Sequence, residues 1–93
     1  ALLRAGRTVG SNYTIVNTDG TIFINGTGVT VTLPSATVMG AGKQFGIKNI
    51  GASSASLNAN GGNVNGLAQV TVGVGEGCAF VSDGTDWWQL LPA

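Results

Sequence analysis

The stretch GVTVTL, residues 28–33, puts Val29, Val31 and Leu33 on one side of an extended chain and Thr30 and Thr32 on the other. Strict alternation built from β-branched residues is the pattern of a strand that is buried on one face and wet on the other. The same pattern returns in QFGIKNI (residues 44–50) with Phe45 and Ile47, and in QVTVGV (residues 69–74) with Val70, Val72 and Val74. It recurs in GTIFI (residues 20–24), where Ile22 and Ile24 oppose Phe23. Turn signals separate these runs: Asp19-Gly20, Asn25-Gly26, Gly51, Asn60-Gly61-Gly62, Asn65-Gly66, the glycines from Gly73 to Gly77, and Asp83-Gly84. They leave no room for helices of ordinary length. The reading is an all-β chain, folded as a compact antiparallel sandwich, barrel or prism of short strands.

Two segments stand apart. ALLRAGRTV (residues 1–9) holds Arg4 and Arg7 and the pair Leu2 and Leu3 without clean periodicity, and it reads as an extended arm. Residues 1–12 are therefore expected to be an N-terminal arm, followed by a β domain over residues 13–93. PSATVMGAG (residues 34–42) opens with a proline that ends the preceding strand, and it reads as a crossing loop with space for one helical turn.

Composition narrows the function. The 93 residues suggest one domain, and a chain of this size buries a modest fraction of its surface. The four basic residues, Arg4, Arg7, Lys43 and Lys48, are scattered and the net charge is zero, so nucleic acid is not an expected partner. A hydrophobic fraction of 43% argues against disorder. No apolar run approaches the roughly 18 residues of a membrane-spanning helix. The single Cys78 lies in an apolar run and reads as a small buried thiol.

Chemistry-bearing residues are few. Histidine is absent, which removes the usual general base and zinc ligand. The acids are Asp19, Glu76, Asp83 and Asp86. Asp83 and Asp86 flank a turn glycine and read as turn formers, and their spacing does not fit a calcium loop. GVGEG (residues 73–77) precedes a strand-like run rather than a helix, so it reads as a hairpin turn and not a phosphate cradle. No enzyme, cofactor or metal is expected. Threonine-rich outward faces with almost no charge to guard sheet edges point instead to burial by other subunits, as a trimer or larger closed ring.

The order of four pieces carries a resemblance: GVTVTLPSA (residues 28–36), GKQFGIKNIG (42–51), NANGGNVNG (58–66) and EGCAFVSDGTDWWQL (76–90). Together they resemble a small β module of bacteriophage tail-fibre and virion-surface proteins. The resemblance implies a structural protein without catalytic residues, assembled as an oligomer, commonly a trimer. The small first residue, Ala1, is what removal of an initiator methionine leaves, and it directs the expectation toward a free-standing virion protein. The expected function is thus a capsid decoration, or cement, protein on the outer capsid surface, with the major capsid protein and copies of itself as partners. The alternative is a tail- or head-fibre module serving trimerisation or host adhesion.

VSDGTDWWQLL (residues 81–91) places two indoles on opposite faces of a strand. Trp88, in phase with Leu90, is expected inside the subunit. Trp87, in phase with Leu91, is expected against a partner. Leu2, Leu3, Arg4 and Arg7 of the arm, with Tyr13, complete the expected partner interface.

Overall fold

The computed structural model describes residues 5–90; Leu2, Leu3, Arg4 and Leu91 of the expected interface lie outside them. Among the described residues nine strands and one helical turn follow in order: β1 (Ala5–Val9), β2 (Tyr13–Thr14), β3 (Asp19–Ile24), β4 (Thr30–Thr32), α1 (Ala36–Met39), β5 (Gln44–Asn49), β6 (Ala55–Asn58), β7 (Gln69–Val72), β8 (Gly77–Ser82) and β9 (Trp87–Gln89). The alternating runs of the sequence are strands, and the fold is mostly β. The helical turn occupies the crossing loop, where Ser35 Oγ accepts a hydrogen bond from the Val38 amide and caps it.

The strands form two mixed sheets, β1-β3-β5-β8-β9 and β2-β4-β6-β7. This corrects the purely antiparallel expectation, and its cause is the path of the chain. Through the first six strands the chain steps from one sheet to the other and back, so neighbours within a sheet come from successive turns of a coil and run parallel. Only after β6 does it double back, laying β7 against β6, β8 against β5 and β9 against β8 in antiparallel fashion. The sheets are open, so the barrel alternative does not hold. Of the expected arm, residues 5–9 form strand β1, in parallel register with β3 from Gly6↔Thr21 to Val9↔Ile24.

The core lies between the sheets. Ile22, Ile24, Phe45, Ile47, Phe80 and Trp87 enter it from the five-stranded sheet, and Val31, Leu57 and Val72 from the other. Burying each such side chain contributes roughly 1.5–3 kcal/mol. Asn49 carries polar contacts across this layer. The buried Asn49 donates through Nδ2 to the carbonyls of Ser53 and Val72 and accepts the Gly51 amide on Oδ1, tying β5 to β7. At the corners after β1, β3 and β5, backbone rests on backbone. A Cβ on Gly26 would run into the Gly10 carbonyl and lie 2.9 Å from a Val29 methyl, and one on Gly51 would lie 3.1 Å from the Gly26 amide nitrogen. Glycine is required there by contact rather than by φ.

The outer edge of β9 is closed by a small hairpin. Val64 and Leu67 exchange hydrogen bonds of 2.7 and 2.9 Å across Asn65-Gly66, whose φ values of 53° and 79° belong to a tight turn of the mirror-image type. Asn63 and Asn65 then pair with the backbone of Trp87, and Asn65 Oδ1 accepts the Gln89 amide, so a side chain continues the ladder where the main chain turns away.

Candidate interaction surface

The register of β8 against β9 decides what each tryptophan does. Ser82 pairs with Trp87 and Val81 with Trp88. Ser82 faces inward, where its Oγ donates to the Ala36 carbonyl at 3.1 Å, so Trp87 must face inward too. Trp87 is 0% exposed, packs on Phe45 with ring centroids 5.6 Å apart, and donates its indole N–H to the Pro34 carbonyl at 2.9 Å. Trp88 is 42% exposed. The expected assignment is therefore reversed: Trp87 is a core residue and Trp88 is the indole left on the surface. Leu90, which was expected to bring Trp88 inward, lies just past the end of β9 and is itself half exposed.

Trp88 is exposed but not loose. Asp83 Oδ2 accepts its indole N–H at 2.8 Å, while Asp83 Oδ1 accepts the amides of Thr85 and Asp86. Those backbone amides and the indole together hold the Asp83 carboxyl below the usual carboxylate range. The DGTD turn that sequence reading assigned to chain reversal thus also orients a surface aromatic.

Around Trp88 the outer face of the five-stranded sheet is arranged in rows set by strand register. Gln44, Val81 and Trp88 make one row; Gly6, Thr21, Gly46 and Ala79 make the next; Thr8, Phe23, Lys48 and Gly77 make the third. The middle row carries almost no side-chain bulk. Its Thr21 and Gly46, with Gly77 and the half-exposed Val74, line a shallow trough walled by Phe23 and Lys48. Lys48 is fixed across one end of this trough, its Nζ donating to the Gly75 carbonyl at 2.6 Å. The opposite face of the molecule differs in kind. The outward side chains of β2, β4, β6 and β7 are Thr14, Thr30, Thr32, Ser56, Asn58, Gln69 and Thr71, uncharged and polar throughout.

Arg7 and Tyr13 do meet, though not as a free surface. Both converge on Asp19, which is 2% exposed: Arg7 Nε lies 3.3 Å from Oδ1, Tyr13 Oη donates to Oδ2 at 2.6 Å, and the Val16 amide donates to the same oxygen at 3.0 Å. The Arg7 guanidinium sits 5.1 Å over the Tyr13 ring. Burial alone would raise the Asp19 pKa, but the Tyr13 hydroxyl, the Val16 amide and Arg7 outweigh it and hold the carboxyl below its ordinary range. The same hydrogen bond raises the Tyr13 phenol. This cluster locks β1, β2 and the start of β3 together, and it turns the charge of an edge strand inward. Sequence reading took Asp19 as a turn residue; the turn lies just before it, and Asp19 is the first residue of β3.

The remaining acids are engaged with backbone. Glu76 accepts the Gly73 amide at 2.6 Å and Asp86 accepts the Asn63 amide at 2.9 Å. Cys78 is half-buried, and burial, aided by the nearby Glu76 charge, raises its thiol pKa. Among the described residues no three of His, Cys, Asp and Glu are grouped to hold a metal ion. No known protein family matches this chain, and no curated protein or solved structure shows significant similarity to it.

Proposed function

We propose that the chain is a structural protein of a bacteriophage virion, a capsid decoration protein that binds the major capsid protein on the outer shell surface and acts as an oligomer, a trimer in the simplest case. The observation that carries this reading is the outer face of the five-stranded sheet, where Trp88, Val81, Phe23 and Leu90 are wholly or partly exposed around a trough nearly free of bulk. At 42% exposure Trp88 has roughly 100 Å² left to bury on docking, worth about 2–3 kcal/mol at about 25 cal/mol per Å². Together with the order of phage-module motifs in the sequence, such a face suits a protein whose work is attachment. A second reading, as a fibre module, is favoured by the parallel coil, because β1 and β2 are the end strands of its parallel pairs among the described residues and a further turn would extend it along the same axis.

The test is electron microscopy of labelled particles of the phage that encodes the chain, combined with heating of shells that carry it or lack it. The decoration reading expects regular positions over the shell and a higher disruption temperature. Label at fibre tips supports the second reading, and absence of the chain from particles overturns both.

A further inference from the structure

Three Asn-Gly pairs occur in the chain, at 25–26, 60–61 and 65–66, with different flanking residues and in three different surroundings. In such a pair the glycine nitrogen, as it loses its proton, can attack the asparagine side-chain carbonyl. A bond forms between that nitrogen and Cγ, ammonia leaves, and the resulting five-membered imide is opened by water to aspartate or isoaspartate. The attack requires a side chain free to rotate and a following peptide free to turn toward it.

Two of the pairs are denied that freedom. The side chain of Asn65 is held at both ends, Oδ1 accepting the Gln89 amide at 2.8 Å and Nδ2 donating to Gln89 Oε1 at 3.2 Å. Asn25 is held through its backbone, its amide donating to the Val9 carbonyl, and the peptide that would have to swing is that of Gly26, wedged between Gly10 and Gly51 at the stacked corner. Asn60 has neither restraint. It is exposed, its side chain makes no hydrogen bond among the described residues, and Gly61 beside it is exposed with open space where a Cβ would lie.

We infer that Asn60 is a site of spontaneous conversion to aspartate and isoaspartate, and that the fold protects Asn25 and Asn65 from the same reaction. The product adds a carboxylate, taking the net charge from zero to one negative unit. It does so in the loop that leads through Gly62, packed against Asp86, to the hairpin closing β9. The isoaspartate form also lengthens the main chain in that loop.

The test is incubation of the native protein at mildly alkaline pH, with peptide mapping by mass and enzymatic methyl labelling of isoaspartate at each site, beside an incubation in denaturant. In denaturant the three sites should convert at similar rates. In the native protein Asn60 should keep its denatured rate within a few-fold, while Asn65, which must first break two hydrogen bonds, should slow by roughly tenfold or more. Gln89→Ala removes one of those bonds and should speed conversion at Asn65 without altering Asn60. The inference is overturned if Asn25 or Asn65 converts as fast as Asn60 in the native protein, or if Asn60 is unchanged there while converting readily in denaturant.

Discussion

Replacing Trp87 with phenylalanine removes part of a side chain that is 0% exposed and deletes the indole donor to the Pro34 carbonyl. The lost apolar volume leaves a cavity against Phe45, and the carbonyl is left buried without a partner. Together these should cost about 2–4 kcal/mol. A domain of this length has a total stability of roughly 5–14 kcal/mol at about 0.05–0.15 kcal/mol per residue, so the variant still folds. With about 4–8 °C lost per kcal/mol, the midpoint should fall by roughly 8–32 °C. Urea titration followed by circular dichroism should show a lower midpoint at unchanged slope. Trp88→Phe is the control, expected to change stability by no more than about 0.5 kcal/mol. The reasoning is refuted if the two variants cost the same, or if Trp88→Phe is the more damaging, since that would mean β9 sits one residue out of the register described.

Three further outcomes follow from the same contacts. Because the folded-state pKa of Asp19 is depressed from its ordinary 3.8, its contribution is fully present above that value and is lost as pH falls through the folded pKa. Acid titration of stability should therefore steepen below about pH 4, and Asp19→Asn should flatten that limb while lowering stability at neutral pH. Gly26→Ala forces a methyl into the Gly10 carbonyl and should cost roughly 1–3 kcal/mol by calorimetry, whereas Gly28→Ala, with open space but a φ of 66°, should cost about 1 kcal/mol. Trp88→Ser should leave the unfolding midpoint nearly unchanged but reduce the sedimenting mass or the capsid occupancy; an unaltered assembly with full occupancy would remove Trp88 from the docking face.

The strands and the core residues they carry were readable because alternation is local. Val31, Leu33, Phe45, Ile47 and Val72 are buried where period-two reading puts them. The path between the strands was not readable. The register Val9↔Ile24↔Asn49 joins residues 15 and then 25 apart (24 − 9 and 49 − 24), because the corner loops differ in length, so no fixed repeat marks the coil. The same limit explains the tryptophans. Alternation says that they face opposite ways, but only pairing with β8 says which way, and the phase with Leu90 gives no direction because Leu90 is itself half exposed. The Arg7–Tyr13–Asp19 cluster was half legible. Two of its members stood out as unusual in a nearly uncharged chain, yet the third lay behind a turn signal, and only the parallel stacking of β1 on β3 brings the three together.

Why a small domain keeps an indole in water bears directly on the proposed docking. Exposed, Trp88 adds little to the stability of the subunit, and a free side chain there would lose rotamer entropy on binding, on the order of 0.5–1.5 kcal/mol. The hydrogen bond from its indole to Asp83 limits that loss in advance, and Asp83 is itself fixed by two backbone amides of its turn. The ring is thus oriented by the DGTD turn before any partner arrives. Asp83→Asn keeps the size of the side chain but weakens its bonds to the turn amides and the indole, so it should weaken docking without abolishing it. Comparison with Trp88→Ser separates the two contributions, apolar contact and prior ordering: under this account Asp83→Asn with Trp88→Ser in one chain should lose no more affinity than Trp88→Ser alone, because an ordered turn has nothing left to order. Additive losses would mean that Asp83 meets the partner itself.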